Sequence, residues 1–326
     1  MATLEIGFLT NQLEVRKRRL EAAIALAPSN TGLVGLLREV DSALERMAKG
    51  SFGLCVECHE PVEQDRLLSD PLVRYCLDHL TQLQRAALQR DLDLASEVQR
   101  NLLPQPKLQT GEWETNYHYV AAGPVSGDYC DLIPSDGHLF FAVGDVSGKG
   151  VAASMLMTQL HALFRALTAT GLPLGQIVTH ANRVFCESAL AGQYATLVCG
   201  QAKPGGEVEI HNAGHLPAIV AGHGGVLRIE STGLPLGMFC EIEFSATKLQ
   251  LQAGDTLFLY TDGLSEARKG EEEYGVDRIT RFVRQQAARS PSEMIAAFLD
   301  DLRPYNEVGR DDLTLLAIRR SGGSQA

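Results

Sequence analysis

The sequence predicts an α+β protein: a central antiparallel β-sandwich flanked by helices, preceded by a helical hairpin with a zinc ribbon and by a linker helix. Three observations predict this arrangement. Apolar residues recur with helical spacing in the first fifty residues, closely spaced cysteines follow, and short apolar runs between glycine-rich turns dominate after Trp113. We therefore expect four segments: hairpin and zinc finger over 1–79, linker helix over 80–106, sandwich domain over 107–320 and disordered tail over 321–326.

The composition is that of a globular protein with an acidic charge balance. The chain has 326 residues, 45% of them hydrophobic, and a formal net charge of -11. An acidic chain is repelled by nucleic acids and anionic membranes, so we expect neither as a partner. The basic run at 16–19 is interpreted as a solvated helix face. No apolar run approaches the roughly 20 residues that span a bilayer, and no signal peptide is evident, which predicts a cytoplasmic protein.

Two stretches near the N-terminus have helical spacing of apolar residues. The first covers 3–27, and the second runs from Leu33 to Met47 with Gly50 as its end. The sequence Pro28-Ser29-Asn30-Thr31-Gly32 interrupts the pattern between them. The two stretches therefore predict an antiparallel helical hairpin.

Two pairs of candidate metal ligands follow this hairpin. Cys55 and Cys58 form the first pair, and Cys76 and His79 form the second after seventeen intervening residues. This spacing is typical of a zinc ribbon, because each pair supplies two corners of a tetrahedron. His59 is an alternative fourth ligand, and buried free thiols beside a surface histidine are the alternative without a metal. Four protein ligands would close the site, so we expect one structural Zn²⁺.

The remaining four of the seven cysteines lie in isolated apolar settings. Such a distribution suits a reducing compartment, in which these residues serve as small core side chains. They are Cys130, Cys186, Cys199 and Cys240.

The stretch through the zinc ligands resembles the DksA/TraR-type zinc finger. The similarity runs from Leu44-Glu45-Arg46 through Phe52-Gly53-Leu54-Cys55 to Cys76, and His79 stands where that family usually has a fourth cysteine. Members of that family bind RNA polymerase through an acidic hairpin tip. The corresponding tip here, Ala27-Pro28-Ser29-Asn30, has no acidic residue, so this activity is not expected of the chain.

A further helix is predicted from Leu80 to Leu103, ended by Pro104 and Pro106. Its apolar seam suits pairing in a homodimer or packing on the neighbouring domain.

Alternating short strands and paired helices are predicted beyond this linker. The predicted strands are 139–146, 194–201, 208–211, 217–221, 226–229, 256–260 and 313–319. The predicted helices are 152–168, 175–189, 276–288 and 292–302.

Four aspartates each lie at the edge of an apolar segment: Asp128, Asp145, Asp262 and Asp311. Aspartate favours turns and strand ends, so ordinary turn residues are one explanation. If they converge, carboxylates would repel one another unless cations lay between them, and hard oxygen ligands select Mg²⁺ or Mn²⁺. Two such ions can activate a bridging water and neutralise phosphoryl oxygens. Spacing alone leaves both explanations open.

Five ordered motifs resemble the SpoIIE/RsbU-type phosphatases of the metal-dependent protein phosphatase 2C superfamily. The similarity covers roughly Leu94 to Arg319. The motifs are Val125-Ser126-Gly127-Asp128-Tyr129-Cys130-Asp131, Val143-Gly144-Asp145-Val146-Ser147-Gly148-Lys149-Gly150, Asn212-Ala213-Gly214-His215, Tyr260-Thr261-Asp262-Gly263 and Asp311-Asp312-Leu313-Thr314.

The resemblance implies a ligand set for two Mn²⁺ or Mg²⁺ ions. Asp145 would bridge both ions, Asp128 and the backbone carbonyl of Val146 would hold one, and Asp262 and Asp311 would hold the other. Asp312 is the less expected ligand of its pair, and Asp131 is expected to be structural. The implied reaction is hydrolysis of phosphoserine or phosphothreonine in a protein by a hydroxide held between the ions.

Several neighbouring residues have two interpretations. Ser147 and Lys149 either contact phosphate or shape the loop, and His215 is either an acid near the leaving group or a buried turn residue. Cys130 suggests a thiol phosphatase, but the arginine-rich phosphate loop of that chemistry is missing. Arg310 is a phosphate-binding candidate by position only.

Two functions follow as hypotheses. In the first, the chain is a phosphatase whose substrate is a phosphorylated anti-sigma factor antagonist of the STAS type, regulated by a protein that acts on the N-terminal zinc module. The alternative is a transcription-associated adaptor that binds RNA polymerase through the zinc finger and carries an inactive phosphatase-like domain.

Overall fold

The computed structural model describes residues 3–26, 30–79, 82–189, 192–305 and 311–322. The chain divides into two compact units, 1–91 and 92–326, each with its own core. Among the helices in the described ranges, none combines the length and apolar character that crossing a membrane requires.

The first unit begins with the predicted helical hairpin, which the structure confirms. Helices α1 (Thr3–Leu26) and α2 (Thr31–Ala48) pack through Leu13, Leu20, Val40 and Ala43. The Asn30 side chain caps α2 by accepting hydrogen bonds from the backbone N–H groups of Gly32 and Leu33. Past its C-terminal end, Gly50 adopts a φ of 70°, a conformation that favours glycine. Residues 27–29 of the expected tip lie outside the described residues.

The cysteine-containing segment adds a short helix that the sequence analysis did not predict, α3 (Gln64–Ser69), followed by a 3₁₀ turn at Leu77–His79. Val62 and Leu67 form a small core with Cys55 and Cys76. Helix α4 (Gln82–Leu102) is the predicted linker helix, and the boundary between the two units falls within it. Leu80, where that helix was expected to begin, lies outside the described residues.

The second unit is an antiparallel β-sandwich, as predicted. One sheet has the strand order β1-β2-β13-β10-β7-β8 and the other β3-β4-β5-β6-β9. The strands of the first sheet are β1 (Lys107–Thr110), β2 (Trp113–Val120), β7 (Ala218–Gly222), β8 (Gly225–Ile229), β10 (Thr256–Tyr260) and β13 (Leu313–Arg320). Those of the second are β3 (Asp128–Ser135), β4 (His138–Val146), β5 (Ala195–Ala202), β6 (Glu207–Ala213) and β9 (Ala246–Gln250), and a small hairpin pairs β11 (Arg268–Lys269) with β12 (Glu272–Glu273).

Helices cover the outer face of each sheet. They are α5 (Gly150–Thr168), α6 (Leu174–Ser188), α7 (Asp262–Ser265), α8 (Val276–Gln286) and α9 (Pro291–Leu302). Phe164 of α5 and Phe185 of α6 belong to the core on the β3–β9 sheet, and Phe298 of α9 stacks on Phe258 of the other sheet at a centroid distance of 4.6 Å. A third core between the sheets includes Trp113 and Phe141. Strands alternate between these cores, as a period of two requires.

The predicted strands and helices all occur, with ends displaced by at most two residues, but β1, β2, β3, β9, β11, β12 and the four-residue helix α7 were not predicted. β3 contains Asp128, Asp131 and Pro134, which weaken any strand signal in the sequence. It is stable because both carboxylates find specific partners, described below, and those partners come from distant segments.

The prediction of four free core cysteines is wrong for two of them. Cys186 and Cys240 form a disulfide with their Cα atoms 5.6 Å apart, whereas Cys130 and Cys199 are free and buried. The bond joins α6 to the loop before β9. Asn182 of α6 holds the same loop, because its side chain accepts a hydrogen bond from the Gly237 N–H and donates one to the Phe239 carbonyl. The two cysteines are 54 positions apart, so the sequence pattern gave no sign of this pairing.

Candidate active site

Asp128 and Asp145 face each other at the end of the β3–β4 pair. They are register partners on adjacent antiparallel strands. Strand alternation places both on the face that looks between the sheets, since Cys130 and Val143, two residues away on each strand, belong to the core between the sheets. Directly opposed carboxylates repel each other unless a cation lies near them.

The first sheet holds Asp128, which lies on the second sheet, by one of its two carboxylate oxygens. The hydroxyl groups of Thr261 and Thr314 donate to Asp128 Oδ2 at 2.8 and 2.5 Å. Asp128 is only 1% exposed, and its Oδ1 is buried without a hydrogen-bond partner among the described residues. Burial raises the pKa of Asp128 well above its usual value, the Thr314 bond opposes this, and the charge of Asp145 adds to it. An orphaned carboxylate oxygen of this kind is suited to a metal ion.

A small cradle lies beside this pair at Gly127. A Cβ atom there would stand 3.1 Å from the carbonyl oxygen of Val146 and 3.3 Å from Asp145 Oδ1. Both predicted ligand atoms therefore face the same narrow space, which any larger side chain would crowd. The Val146 N–H donates to the Gly127 carbonyl at 3.3 Å and fixes the two loops against each other.

Asp262 and Asp311 come together with a third carboxylate that the sequence analysis missed. One carboxylate oxygen each of Asp262, Glu266 and Asp311 lies within 4.8 Å of the others. Glu266 follows Asp262 by four residues across the short helix α7, and this i,i+4 spacing was visible in the sequence. The signal was weak because acidic residues at this spacing are common on exposed helices.

The electrostatics of the cluster fit divalent cations. Burial, followed by the charges of Asp262, Asp311 and Asp312, raises the pKa of Asp145 to about 7. Burial, followed by the charges of Asp311 and Glu266, raises the pKa of Asp262 to about 6. So many carboxylates with raised pKa values indicate excess negative charge, and their oxygen atoms are the donors that Mg²⁺ and Mn²⁺ prefer.

Asp312 and Asp131 have other partners. The Asp312 carboxylate accepts from the backbone N–H groups of Ala122 and Gly127 at 2.7 and 2.9 Å, and so holds the loop before Asp128. Asp131 lies on the opposite face of β3, where Arg165 of α5 donates to both of its oxygens at 2.6 and 2.9 Å. Both contacts are structural.

The loop between β4 and α5 is held by its own side chains. Ser147 Oγ accepts from the Tyr194 N–H at 2.9 Å, and Lys149 Nζ lies 3.1 Å from both carboxylate oxygens of Asp311. The hydrogen bond with Asp311 raises the pKa of Lys149. These contacts favour a role in shaping the site over a direct phosphate contact.

His215 is buried between the sheets and bridges them. Its Nε2 lies 3.0 Å from the Tyr260 carbonyl oxygen, and its Nδ1 lies 2.8 Å from Thr196 Oγ1. A carbonyl only accepts, so Nε2 carries the proton and Nδ1 accepts from Thr196. Burial lowers the pKa of His215 to about 4, which makes it neutral near pH 7. These contacts favour the buried turn residue over the acid.

The thiol alternative is not supported by the position of Cys130. Burial raises the pKa of this thiol well above its usual range, and the charges of Asp131 and Asp128 raise it further. The thiolate nucleophile is therefore suppressed. Arg310 lies outside the described residues.

The zinc-ribbon residues form a separate cluster in the first unit. One ligand atom each of Cys55, Cys58, Cys76 and His79 lies within 4.8 Å of the others, and His59 is not in the group. The sulfur atoms of Cys58 and Cys76 are 3.7 Å apart, close to the edge of about 3.8 Å that Zn–S bonds of about 2.3 Å give a tetrahedron. Burial would raise the pKa of Cys55, but backbone N–H groups of Cys58, Cys76 and Glu57 lower it to about 6. The donor set therefore fits Zn²⁺.

Two parts of the chain match known protein families. Residues 135–321 match the family described as Stage II sporulation protein E (SpoIIE), and residues 50–78 match the prokaryotic dksA/traR C4-type zinc finger. The range of the second match ends one residue before His79.

Two curated relatives and one solved structure illustrate the similarity. Phosphoserine phosphatase RsbU of Bacillus subtilis is 24% identical over 237 residues, covering 72% of this chain and 71% of RsbU. Protein IcfG of Synechocystis is 25% identical over 264 residues, covering 71% of this chain but only 42% of IcfG. The SiaA-PP2C domain of Pseudomonas aeruginosa superposes with a TM-score of 0.64 at 21% identity, covering 72% of this chain and 98% of that domain.

The SpoIIE match takes in more than half of the chain, including β4, β10 and β13, which carry or adjoin Asp145, Asp262 and Asp311. Together with the two-sheet architecture of a PP2C domain, it shows that this chain belongs to the SpoIIE family and carries a DksA/TraR-type zinc finger ahead of its PP2C-like domain.

Proposed function

We propose that the chain is a metal-dependent protein serine/threonine phosphatase. The observation that carries the proposal is the buried Oδ1 of Asp128, which has no hydrogen-bond partner in the described part of the chain and lies within a cluster of opposed carboxylates. Family membership and the similarity to phosphoserine phosphatase RsbU support the same activity. A PP2C-like fold alone would not establish it, because one fold hosts several functions.

The ligand assignment follows the two groups of carboxylates. In this proposal Asp128 and the Val146 carbonyl would hold one Mn²⁺ or Mg²⁺ ion, Asp262 and Asp311 would hold the other, and Asp145 would contribute to both sites. Glu266 is added to the second group because its carboxylate lies with theirs. When bound, two such ions make water a strong nucleophile and neutralise phosphoryl oxygens.

Neighbouring side chains of the protein position the proposed metal ligands. Thr261 and Thr314 orient Asp128 so that Oδ1 is left for the ion. His215 contacts both sheets near the site: Tyr260 lies two residues before Asp262 along the chain, and Thr196 lies opposite Asp145 in the sheet. No side chain in the described residues has to act as a covalent nucleophile, since the one thiol nearby is buried and protonated.

The proposed substrate is a phosphorylated anti-sigma factor antagonist of the STAS type, which the resemblance to SpoIIE/RsbU-type phosphatases supports. We also propose that a regulatory protein binds the zinc module and controls the phosphatase activity. Pairing of two chains through α4 is also proposed, because Leu94 and Val98 lie one helical turn apart and are 61% and 51% exposed.

The activity is tested by incubating the full chain with a STAS-domain protein phosphorylated on serine, with and without Mn²⁺. We expect phosphate release that requires Mn²⁺ and that Asp262→Asn eliminates. Asp300→Asn, an exposed substitution on α9, is the matched control and should behave as wild type. Co-purification with RNA polymerase, together with no hydrolysis of any phosphoprotein in Mn²⁺, would instead favour the adaptor hypothesis.

Glu266→Gln should weaken the second ion site without abolishing it. Glu266 is exposed and adds one ligand to the three that remain, Asp262, Asp311 and the shared Asp145, so we expect a Mn²⁺ requirement raised by roughly tenfold, about 1.4 kcal/mol. The maximal rate at saturating Mn²⁺ should stay within about threefold of wild type. Titration of activity against Mn²⁺ measures both, with Glu271→Gln as an exposed control nearby. An unchanged Mn²⁺ requirement would remove Glu266 from the ligand set.

A further inference from the structure

Two segments beside the candidate active site leave large apolar side chains in solvent. The first is the start of α5, residues 150–159, and the second is the part of the loop before β9 that covers residues 233–240. Of the eight exposed large hydrophobic side chains that the structure describes beyond α4, five belong to these segments. These five, which we call the apolar rim, are 46–67% exposed: Val151, Met155, Leu234, Met238 and Phe239.

Both segments lie at the end of the β3–β9 sheet that carries Asp128 and Asp145. Helix α5 begins five residues after Asp145. In the second segment, Leu236 exchanges both backbone hydrogen bonds with Ala195, at 2.8 and 2.9 Å, and Ala195 is the register partner of Val146. A protein whose phosphoserine reaches the proposed metal site therefore also approaches the apolar rim.

The loop that carries Met238 and Phe239 is held to α6 on both sides of these residues. The Asn182 side chain accepts from the Gly237 N–H at 2.9 Å and donates to the Phe239 carbonyl at 2.8 Å, and the next residue forms the disulfide to α6. The backbone is thus fixed while both side chains stay in solvent, although burying such side chains is favourable. Grouped apolar side chains held in this way are typical of a protein-binding surface, and aromatic residues are common anchors there.

The distribution of charge indicates which partner fits the rim. The chain has a net charge of -11, and a phosphoprotein adds negative charge at its phosphoserine, so acidic surfaces of the two proteins repel each other. Residues 150–159 and 233–240 include no Asp, Glu, Lys or Arg. Contact along these segments brings a phosphoprotein to the active site without like-charge repulsion, whereas a basic partner gains no attraction there.

We propose that the apolar rim is the docking surface for the phosphoprotein substrate. It would select a folded protein that has an apolar patch beside its phosphoserine over a small phosphate ester. This inference rests on the proposed phosphatase function. The rim contacts the protein part of the substrate and neither ion, so it governs KM for a phosphoprotein and not the chemical step.

The test compares two substrates of the full chain at saturating Mn²⁺: a STAS-domain protein phosphorylated on serine, and 4-nitrophenyl phosphate, which is too small to reach the rim. We expect Phe239→Gln to lower kcat/KM for the phosphoprotein by about tenfold, mainly through KM, as the loss of an interface anchor does. Met155→Gln should lower it by about threefold, and the double variant by more than either. For 4-nitrophenyl phosphate, kcat/KM should stay within about twofold of wild type.

Leu227→Gln is the matched control, because Leu227 is 55% exposed on β8 and lies in neither segment. It should hydrolyse both substrates as wild type does. A phosphoserine peptide cut from the same STAS-domain protein gives a second comparison. Wild type should prefer the intact protein to the peptide, and Phe239→Gln should reduce that preference.

The outcomes separate this inference from the function on which it rests. A wild-type chain that hydrolyses neither substrate in Mn²⁺ overturns the phosphatase function and the docking surface together. If wild type hydrolyses both, the docking surface alone is overturned by wild-type kcat/KM for the phosphoprotein in the double variant, by equal losses on the two substrates, or by an equal loss in Leu227→Gln. A change from dimer to monomer in Phe239→Gln, with kcat/KM for the phosphoprotein unchanged, also overturns it, because the rim then joins two copies of the chain.

Discussion

Replacing Asp145 with asparagine is expected to abolish Mn²⁺-dependent dephosphorylation while the chain stays folded. Asp145 is the carboxylate that the proposal places between both ions, so its loss weakens both at once. We expect a fall in rate of at least about 1,000-fold, roughly 4 kcal/mol of lost transition-state stabilisation. The measurement is phosphate release from the phosphoserine substrate at saturating Mn²⁺.

The same variant should be no less stable than wild type when metal is absent. Burial raises the pKa of Asp145 in the folded chain to about 7, above its usual value of 3.8. A raised carboxyl pKa contributes stability that is full below about pH 4 and lost as pH rises towards 7, because the folded state binds the proton more tightly. At pH 8 the wild-type charge is unfavourable, and asparagine removes it. Thermal unfolding should therefore show an equal or higher Tm for metal-free Asp145→Asn.

Adding Mn²⁺ should reverse that order, since binding stabilises the folded wild type and acts weakly on the variant. Asp136→Asn is the matched control: the residue is exposed in the turn at the other end of the β3–β4 pair, and asparagine tolerates its φ of 45°. It should retain activity and stabilisation by Mn²⁺. More than about a tenth of wild-type activity in Asp145→Asn would contradict the two-ion assignment.

Loss of zinc is expected to unfold the segment from Gly50 to His79. The core of this segment is small, and two of its buried members, Cys55 and Cys76, are candidate ligands themselves. Binding of structural zinc supplies on the order of 10 kcal/mol to such modules, far more than so small a core can provide. Cys76→Ser, or removal of zinc by a chelator, should therefore abolish protection of these amides from hydrogen exchange.

Elemental analysis should find one zinc per chain in wild type and none in Cys76→Ser. Cys199→Ala is the control, because Cys199 is also a buried free cysteine but belongs to the core that α5 and α6 form on the β3–β9 sheet. It should keep its zinc and its exchange protection over 50–79. If protein purified without chelator contains no zinc, and the amides of this segment are still protected from hydrogen exchange, the cysteines are free thiols and do not form a metal site. Substituting His79 and His59 separately then tests which histidine is the fourth zinc ligand. We expect the substitution of His79, and not that of His59, to cause loss of zinc.

Much of the fold was predictable because its signals are local. Strand β10 occurs at the predicted residues, and α5 and α9 begin within two residues of their predicted starts. β3 was missed because Asp128 and Asp131 interrupt its apolar character. The two carboxylates are stabilised in the strand by hydrogen bonds from Thr261, Thr314 and Arg165, which lie more than thirty residues away along the chain.

The sequence by itself determined the succession of hairpin, zinc-ligand pairs and sandwich, and it identified the four candidate aspartates. It could do so because periodicity and motif spacing are local properties of the sequence. Only the tertiary structure decided which groups meet. It paired Cys186 with Cys240, added Glu266 to Asp262 and Asp311, and gave Gln99 a buried contact with Ser126. It also left one oxygen of Asp128 without a hydrogen-bond partner among the residues that the structure describes. These features depend on contacts between distant segments, and such contacts form only when the sheets and helices have packed.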